Sequence, residues 1–465
     1  MLTTPKVEPT TGQSIVDFQL RLLDAIADVE AAYRSIKHEE KFLIANKARY
    51  QLRWFGQRMA KLAGYTMVID HVLAVGRAIG DGFAWFFYER DRDLIAEHLK
   101  HQRQRLLPPG DGALGERMTL KNMQGFGGRI LIYHGTTTFL RMGDISFIDT
   151  STMRVACVGE LKTQRTAPDL IEVSIALIAG SADQLPKASD FEVARKPRER
   201  PAPEFPPAMR DRFARQRKTM GEAMARVHEK SVDDSLGGPS KFHFEELQEV
   251  VSRSRKRSFE YVHAGPGVVI GALRLSQNGN LGSNFLGQFK HAERAAAEVP
   301  QWAVKTVDPA SKWNSLSLGS VGSGSGDLAF GPETIPFAWW PVDRETLKEI
   351  LFGDVMVITL FNPAHMLRSL EERGFELTFD RRHRLKEAVR THGDKQLGLD
   401  HFEYYYRLVQ GSLLSEAGVM SIIDQTIEMA TTRFDQAPVR IEIVPKVTRQ
   451  SLPFRDRGGR KALPS

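Results

Sequence analysis

Apolar residues recur at alternating three- and four-residue steps near the start of the chain: Ile15, Phe18, Leu22, Ile26, Val29, Tyr33 and Ile36. That is the stripe of one helix face. Ser14 with Asp17 three residues on reads as its amino-terminal cap. The pattern continues less cleanly through Leu43, Tyr50 and Trp54, and Gly64 predicts the end. A second helical region follows from about Met67 to Gln104, interrupted by Gly80 and Gly82. Residues 1–106 are therefore expected to form a helical hairpin or small bundle. Its stripe serves as internal core or as a seam for a protein partner or a homo-oligomer. The aromatic run Phe83, Trp85, Phe86, Phe87 and Tyr88 reads as packing.

The periodicity changes after Leu107-Pro-Pro-Gly-Asp-Gly. A short helix is expected over 112–123, then strands at Ile130–Tyr133, Asp144–Ile148, Val155–Leu161 and Leu170–Ile178. Residues 107–185 thus read as an α/β core, a sheet flanked by helices. Residues 183–209 are rich in proline and charge, as in a linker. A basic helical segment, MRDRFARQRKTMGEAMARVHEK, follows, and 186–258 is taken as linker plus basic segment. Residues 259–465 read as an α+β domain of unassigned type. It has strands in FEYVHAGPGVVIGALRL and Val355–Leu360, and a helix near Arg344–Leu351. Helical segments run from Pro363 to Thr431 around the short FELTF, and PVRIEIVP is a final strand. GSVGSGSGDLAFG, 319–331, is a loop by composition.

Composition changes this picture little. At 465 residues, 42% apolar and 26% charged, the chain is a multi-domain globular protein in class. One cysteine, Cys157, excludes an intrachain disulfide and a cysteine-rich metal site. The expected location is cytoplasmic and off the membrane, since the first residues lack an apolar core and no window approaches a membrane span. There is no GxxxxGK[ST], so no ATP-driven motor is expected in this chain. The net charge of +7 favours a polyanionic partner. The basic segment and the cluster Arg253-Ser254-Arg255-Lys256-Arg257 are either grips for phosphate or solvated helix faces.

The chemistry concentrates in RILIYHGTTTFLRMGDISFIDTSTMRVACVGELKTQR, 129–165. One buried strand opens on Gly143-Asp144 and the next closes on Gly159-Glu160-Leu161-Lys162. Alternation puts Glu160 and Lys162 on one face, with Leu161 turned toward the core. A hairpin register brings Asp144 opposite Glu160. Two converging carboxylates repel unless a cation lies between them. Oxygen ligands suit Mg²⁺ or Mn²⁺, which polarise a phosphodiester and acidify a bound water. Lys162 then stands where it orients that water and offsets charge on the phosphate.

GDIS…GELK resembles the metal-binding motif of the restriction-endonuclease-like, PD-(D/E)xK nuclease superfamily, over roughly residues 110–185. The resemblance implies a mixed sheet flanked by helices, with Asp144 and Glu160 as metal ligands and the Leu161 carbonyl as a further one. It implies Lys162 as the catalytic lysine and an acid on the preceding helix. Gly143 stands where the family has proline. Glu116 is the favoured helix acid and Asp81 its competitor. Thr163 and Gln164 are candidate phosphate contacts, and His134 reads as structural. The function implied is a metal-dependent nuclease, DNA favoured over RNA, in a bacterial or phage-related defence setting. The alternative is a non-catalytic nucleic-acid-binding or scaffold subunit whose acids and lysine form a surface ion pair.

Overall fold

A computed structural model describes residues 9–102, 107, 110–122, 129–167, 170–179, 185, 207–229, 241–257, 259–274, 292–321, 336–381, 385–392, 395–400 and 402–432. The chain is mixed α/β and divides into two compact units, the first ending before residue 234. Most of the proline-rich segment, the bulk of the glycine-rich loop and PVRIEIVP lie outside the described residues.

The first unit opens with two antiparallel helices, α1 (Pro9–Ala45) and α2 (Leu52–Tyr88). The turn falls at residues 46–51, not at Gly64. Asn46 folds its side chain onto the Phe42 carbonyl, and Gln51 is extended. Nor do Gly80 and Gly82 interrupt α2. A Cβ at Gly80 would stand 2.0 Å from the Thr136 carbonyl, so glycine is required because the helix backbone rests on the loop after the first strand. α2 also corrects the expectation that no membrane-length window exists. It is long and apolar enough to cross a membrane by length and composition, with mean hydropathy 1.2 over its best window. Many of its apolar residues, among them Leu73, Ala78, Ala84, Trp85 and Phe87, are buried within the unit.

α3 (Arg92–Leu99) and α4 (Asp111–Asn122) lead into a four-stranded sheet in the order β1 (Arg129–Tyr133), β2 (Ile145–Asp149), β3 (Arg154–Ala167), β4 (Leu170–Ala179). Every pairing is antiparallel, which corrects the mixed sheet expected from the resemblance. The reason is chain length. Two residues join β3 to β4, and a parallel neighbour would need a crossover of about a dozen. One face of the sheet, with Leu131, Tyr133, Ile145, Phe147, Cys157 and Leu161, packs with Leu23, Ile26, Leu73 and Leu120 of the helices. The edge strand β1 is capped by Gln19 of α1. Its amide donates to the Leu131 carbonyl (2.8 Å) and accepts from the Tyr133 N–H (2.8 Å), as a neighbouring strand would.

The helix α5 (Pro207–Glu229) holds the basic segment. Phe213, Gln216, Met220, Ala223 and Met224 form its inward stripe, while Arg210, Arg212, Arg215, Arg217 and Lys218 are exposed. Arg226 fixes it to α3 through the buried carboxylate of Glu97, at 2.9 Å.

The second unit begins with α6 (Phe244–Arg257) and builds a sheet ordered β5 (Phe259–His263), β6 (Val268–Arg274), β8 (Val355–Phe361), β7 (Ser317–Val321), antiparallel throughout. α7 (Ala292–Thr306) lays the fully buried Trp302 across Phe259, Val269, Leu273 and Leu360. α8 (Arg344–Leu351), capped by Asp343, and α9 (Ala364–Glu372) flank β8 in sequence. β9 (Glu376–Phe379), which lies in FELTF, pairs with β10 (Leu385–His392), and β10 with β11 (Lys395–Leu399), in a second, three-stranded sheet whose last two strands fall where the sequence reads as helical. LKEAVR has helix-forming composition, but pairing with β9 and β11 overrides that propensity. α10 (Phe402–Ser412) and α11 (Glu416–Thr432) close the unit. The cluster at 253–257 lies exposed on α6, and its three arginines make ion pairs within the unit. Arg253 bonds Glu249 and the Tyr261 carbonyl, Arg255 reaches Glu349, and Arg257 pairs with Glu260.

Candidate active site

The β3–β4 hairpin outruns β2. The β2–β3 register ends at Ile145 opposite Gly159, and β3 continues to Ala167 with β4 alone. This leaves a notch at the start of β2, and the candidate residues meet there. The Asp144 N–H donates to the Gly159 carbonyl (2.8 Å), and one Asp144 carboxylate oxygen accepts from the Leu161 N–H (2.7 Å). Because backbone groups of residues two apart face the same edge of a strand, the Leu161 carbonyl points to the side that holds Asp144. Glu160 and Lys162 share the opposite face from Leu161, and Lys162 Nζ donates to Glu160 Oε1 at 2.6 Å. Both are largely buried, with side-chain exposures of 6% and 14%.

Glu116 reaches the same notch from α4, where the Tyr133 hydroxyl donates to its carboxylate. Three acids thus face one ammonium group. Burial and the neighbouring Glu160 push the Asp144 carboxyl up to about 8, with Glu116 adding to the rise and the Leu161 N–H opposing it. Glu116 is also raised, first by burial and then by Glu160, against the hydrogen bond from Tyr133. Three carboxylates against one ammonium leave two negative charges when all are ionised, the charge of one divalent cation. That donor set fits the group the resemblance implies: Asp144, Glu160 and the Leu161 carbonyl are hard oxygen ligands. Among the described residues no three His, Cys, Asp or Glu side chains stand at the spacing of one complete protein-only site. A Mg²⁺ ion ordinarily keeps several waters.

Asp81 has other employment. It is buried in α2 and accepts from both the Thr138 N–H (2.6 Å) and the Thr138 hydroxyl (2.7 Å), which anchors the loop before the site. Thr163 packs on α4, where a Cβ at Gly115 would stand 2.1 Å from its hydroxyl, and Gln164 lies opposite Glu172 in the ladder.

Gly143 and His134, with His98 and Ser146, which the sequence did not single out, hold the Asp144 turn. Gly143 has φ +71°, and a Cβ there would stand 2.7 Å from the Gly159 carbonyl, so the position where the family carries proline here requires glycine. His134 contacts the Gly143 carbonyl through Nδ1 (3.0 Å) and Ser146 Oγ through Nε2 (2.7 Å). Since only N–H can donate to the carbonyl, Nδ1 carries the proton and the Ser146 hydroxyl donates to Nε2. The Tyr88 hydroxyl in turn donates to Ser146. His98 Nδ1 accepts from the Met142 N–H at 3.0 Å. Burial holds both imidazoles neutral, His134 down to about 4 and His98 well below its ordinary value. The clamp therefore fixes residues 142–146 around the acid. Its only visible sequence signal was the pair Tyr133-His134 placed before the motif.

This clamp has a pH signature. A neutral buried histidine has a folded pKa below its unfolded value of ~6.5, so its contribution is complete above that value and is lost as pH falls through about 4. His134→Gln is expected to lower the urea midpoint at pH 7 and to narrow the gap to the wild type between pH 6.5 and 4. Parallel pH curves for the two proteins would remove the clamp.

Phe213 of α5 lies under Lys162, with Nζ 5.7 Å from the ring centroid. This contact brings the basic helix to the acid notch, a proximity that the intervening proline-rich stretch concealed in the sequence. Comparison with family models, with curated proteins and with solved structures returns no match for this chain.

Proposed function

We propose that the chain is a divalent-metal-dependent nuclease of the PD-(D/E)xK type that hydrolyses phosphodiester bonds, with DNA preferred to RNA. The observation that carries this reading is the excess of buried carboxylate in the notch: Asp144, Glu160 and Glu116 converge on Lys162 alone. The order of parts also supports it. A helix with an acid, a strand preceded by Asp and a next strand carrying Glu-x-Lys at its middle resemble the restriction-endonuclease-like arrangement, although β3 runs on to Ala167. Mg²⁺ or Mn²⁺, when bound, supplies Lewis-acid polarisation of the phosphate and a more acidic water.

The chain's own residues do the rest. Asp144 and Glu160 hold the ion, with the Leu161 carbonyl beside them. Lys162 holds the attacking water in line and places an ammonium against charge growing on the phosphate oxygens. Glu116, held by Tyr133, keeps the notch anionic and orients the first shell. The exposed arginines of α5 offer sequence-independent contacts along the nucleic-acid backbone. A defence role in a bacterium or phage is part of this proposal and rests on the resemblance alone.

The test is incubation of the purified chain with plasmid, linear duplex, single-stranded DNA and RNA, in Mg²⁺, Mn²⁺ or EDTA. Cleavage of DNA in either metal, none in EDTA, and loss on Glu160→Ala is the expected pattern. The second reading, a non-catalytic nucleic-acid-binding or scaffold subunit, expects the acids and lysine as a surface ion pair, whereas the Lys162–Glu160 pair is largely buried. Salt-sensitive binding without cleavage in any metal, unaltered by Asp144→Asn, would establish that reading instead.

A further inference from the structure

α1 and α2 bury one face inside the first unit and leave another in water. The inner row of α1 is Val16, Leu23 and Ile26, all buried, with Gln19 bonded to β1 and Glu30 to Arg77. A second apolar row lies beside it. Phe18, Ala25 and Ala32 stand seven apart and are exposed; Leu22, Val29 and Ile36 stand seven apart and are half-buried. α2 repeats the pattern with Tyr65, Val72, Ile79 and Phe86, again seven apart, and Val68 and Phe83 between them. Tyr65, Val72 and Phe86 are 37%, 44% and 43% exposed, and only 28% of the most apolar eighteen-residue stretch of α2 is buried. The two rows adjoin. Phe18 meets Phe83 at 4.9 Å between ring centres, and the Ile26 side chain lies 3.2 Å from where a Gly76 Cβ would stand.

The pattern selects a helical occupant. Steps of three and four residues in heptads form the seam by which helices meet knobs-into-holes, and the small Ala25 and Ala32 leave holes between larger neighbours. The face is also narrow. Arg21, Asp28 and Ser35 line the outer edge of α1 and are exposed. A facing helix leaves that edge in water, whereas an acyl layer would have to admit its charges. On α2 the three charged residues between Leu62 and Tyr88 lie off the row. Arg77 turns inward to Glu30, Asp81 is bonded to Thr138, and Asp70, two residues before Val72, stands on the opposite side.

Charge then selects which helices. Arg21 and Asp28 lie two turns apart on one edge, and neither forms an ion pair among the described residues. A two-fold axis beside Ala25 sets Arg21 of each copy opposite Asp28 of the other, so the edge is complementary to itself. Because Ile26 lies against Gly76, the same axis crosses α2 between Gly76 and Ile79, the middle of its row. Val72 of one copy then lies near Phe83 of the other. At roughly 1.5 Å per residue and roughly 20 Å across two helices, the face from 65 to 86 offers about 650 Å² per copy. The total of about 1,300 Å² is inside the range of specific, stable interfaces.

We propose that the α1–α2 hairpin is a dimer interface, two copies of this chain packing face to face about a two-fold axis as an antiparallel four-helix bundle. The inference does not rest on the reading of the acid notch. Sedimentation velocity of the full chain across the micromolar range tests it, and a dimer of twice the chain mass is expected. Val72→Asp should weaken the dimer by more than about a hundredfold, since each copy would bury an unpaired carboxylate. Its far-UV dichroism should stay that of the wild type, because residue 72 is exposed in the single chain. Arg21→Glu and Asp28→Lys should each weaken the dimer severalfold, and the double variant should restore it. A chain that sediments as a monomer throughout overturns the proposal. So does a dimer that folded Val72→Asp leaves intact, or one whose charge reversals the double variant fails to repair. Flotation of a monomeric chain with vesicles of phosphatidylcholine and phosphatidylglycerol would give the face to lipid and overturn it equally. The concentration series on the unmodified chain stands even where a variant fails to fold.

Discussion

Lys162→Ala is expected to lower the single-turnover rate of metal-dependent DNA cleavage by ~10²–10³-fold, the cost of removing one preorganised charged donor from a water-poor site. Affinity for the DNA should change little, because the exposed α5 arginines remain. The distinction between rate and affinity separates a catalytic lysine from a merely structural one. Lys162→Arg should not rescue the rate. The lysine is 14% exposed, bonded to Glu160 at 2.6 Å and lies over Phe213, so a planar guanidinium cannot take the same place. Glu160→Ala should be at least as severe, since it removes a ligand as well as the lysine's partner. The measurement is a quenched time course at saturating enzyme, alongside fluorescence anisotropy for binding. Full-rate cleavage by folded Lys162→Ala would take the lysine out of the chemistry.

Much of this site was legible from alternation alone. A period of two puts Glu160 and Lys162 together and turns Leu161 inward, and the buried Leu161 and the 2.6 Å contact follow that pattern. The hairpin register between Asp144 and Glu160 was readable because the apolar runs on either side leave one alignment that buries both. What alternation does not encode is what lies across the notch. Glu116 comes from a different helix, Tyr133 from the edge strand, and Phe213 from beyond a long proline-rich stretch. Long-range contacts of that kind leave no local period. The same limit explains the helices. Gly64 and Gly80 look like breaks when only local propensity is weighed, yet Gly80 is dictated by a carbonyl on a loop more than fifty residues away. In the second unit, LKEAVR carries a helical composition that two neighbouring strands override.

A second large effect concerns stability and runs against activity. Asp144→Asn should abolish cleavage and yet stabilise the metal-free protein at pH 8. Asp144 is held above its unfolded value of ~3.9, at about 8, by burial and by Glu160. A raised carboxyl contributes stability that is complete below ~3.9 and is lost as pH rises through about 8. The wild type in EDTA should therefore weaken over that window relative to the variant. Asparagine keeps an acceptor for the Leu161 N–H while removing one of two facing charges. Relief of ~1–3 kcal/mol is the scale for an uncompensated buried group, and in a unit of this size each kcal/mol moves the midpoint by ~2–4 °C. Melting curves in EDTA at pH 8 should place Asp144→Asn roughly 2–12 °C above the wild type, by that conversion. Added Mg²⁺ should raise the wild type and leave the variant nearly unmoved, since only the intact pair gains from the ion. An Asp144→Asn protein that melts below the wild type in EDTA at pH 8, or a wild type indifferent to Mg²⁺, would mean that the carboxylates are not poised for a cation.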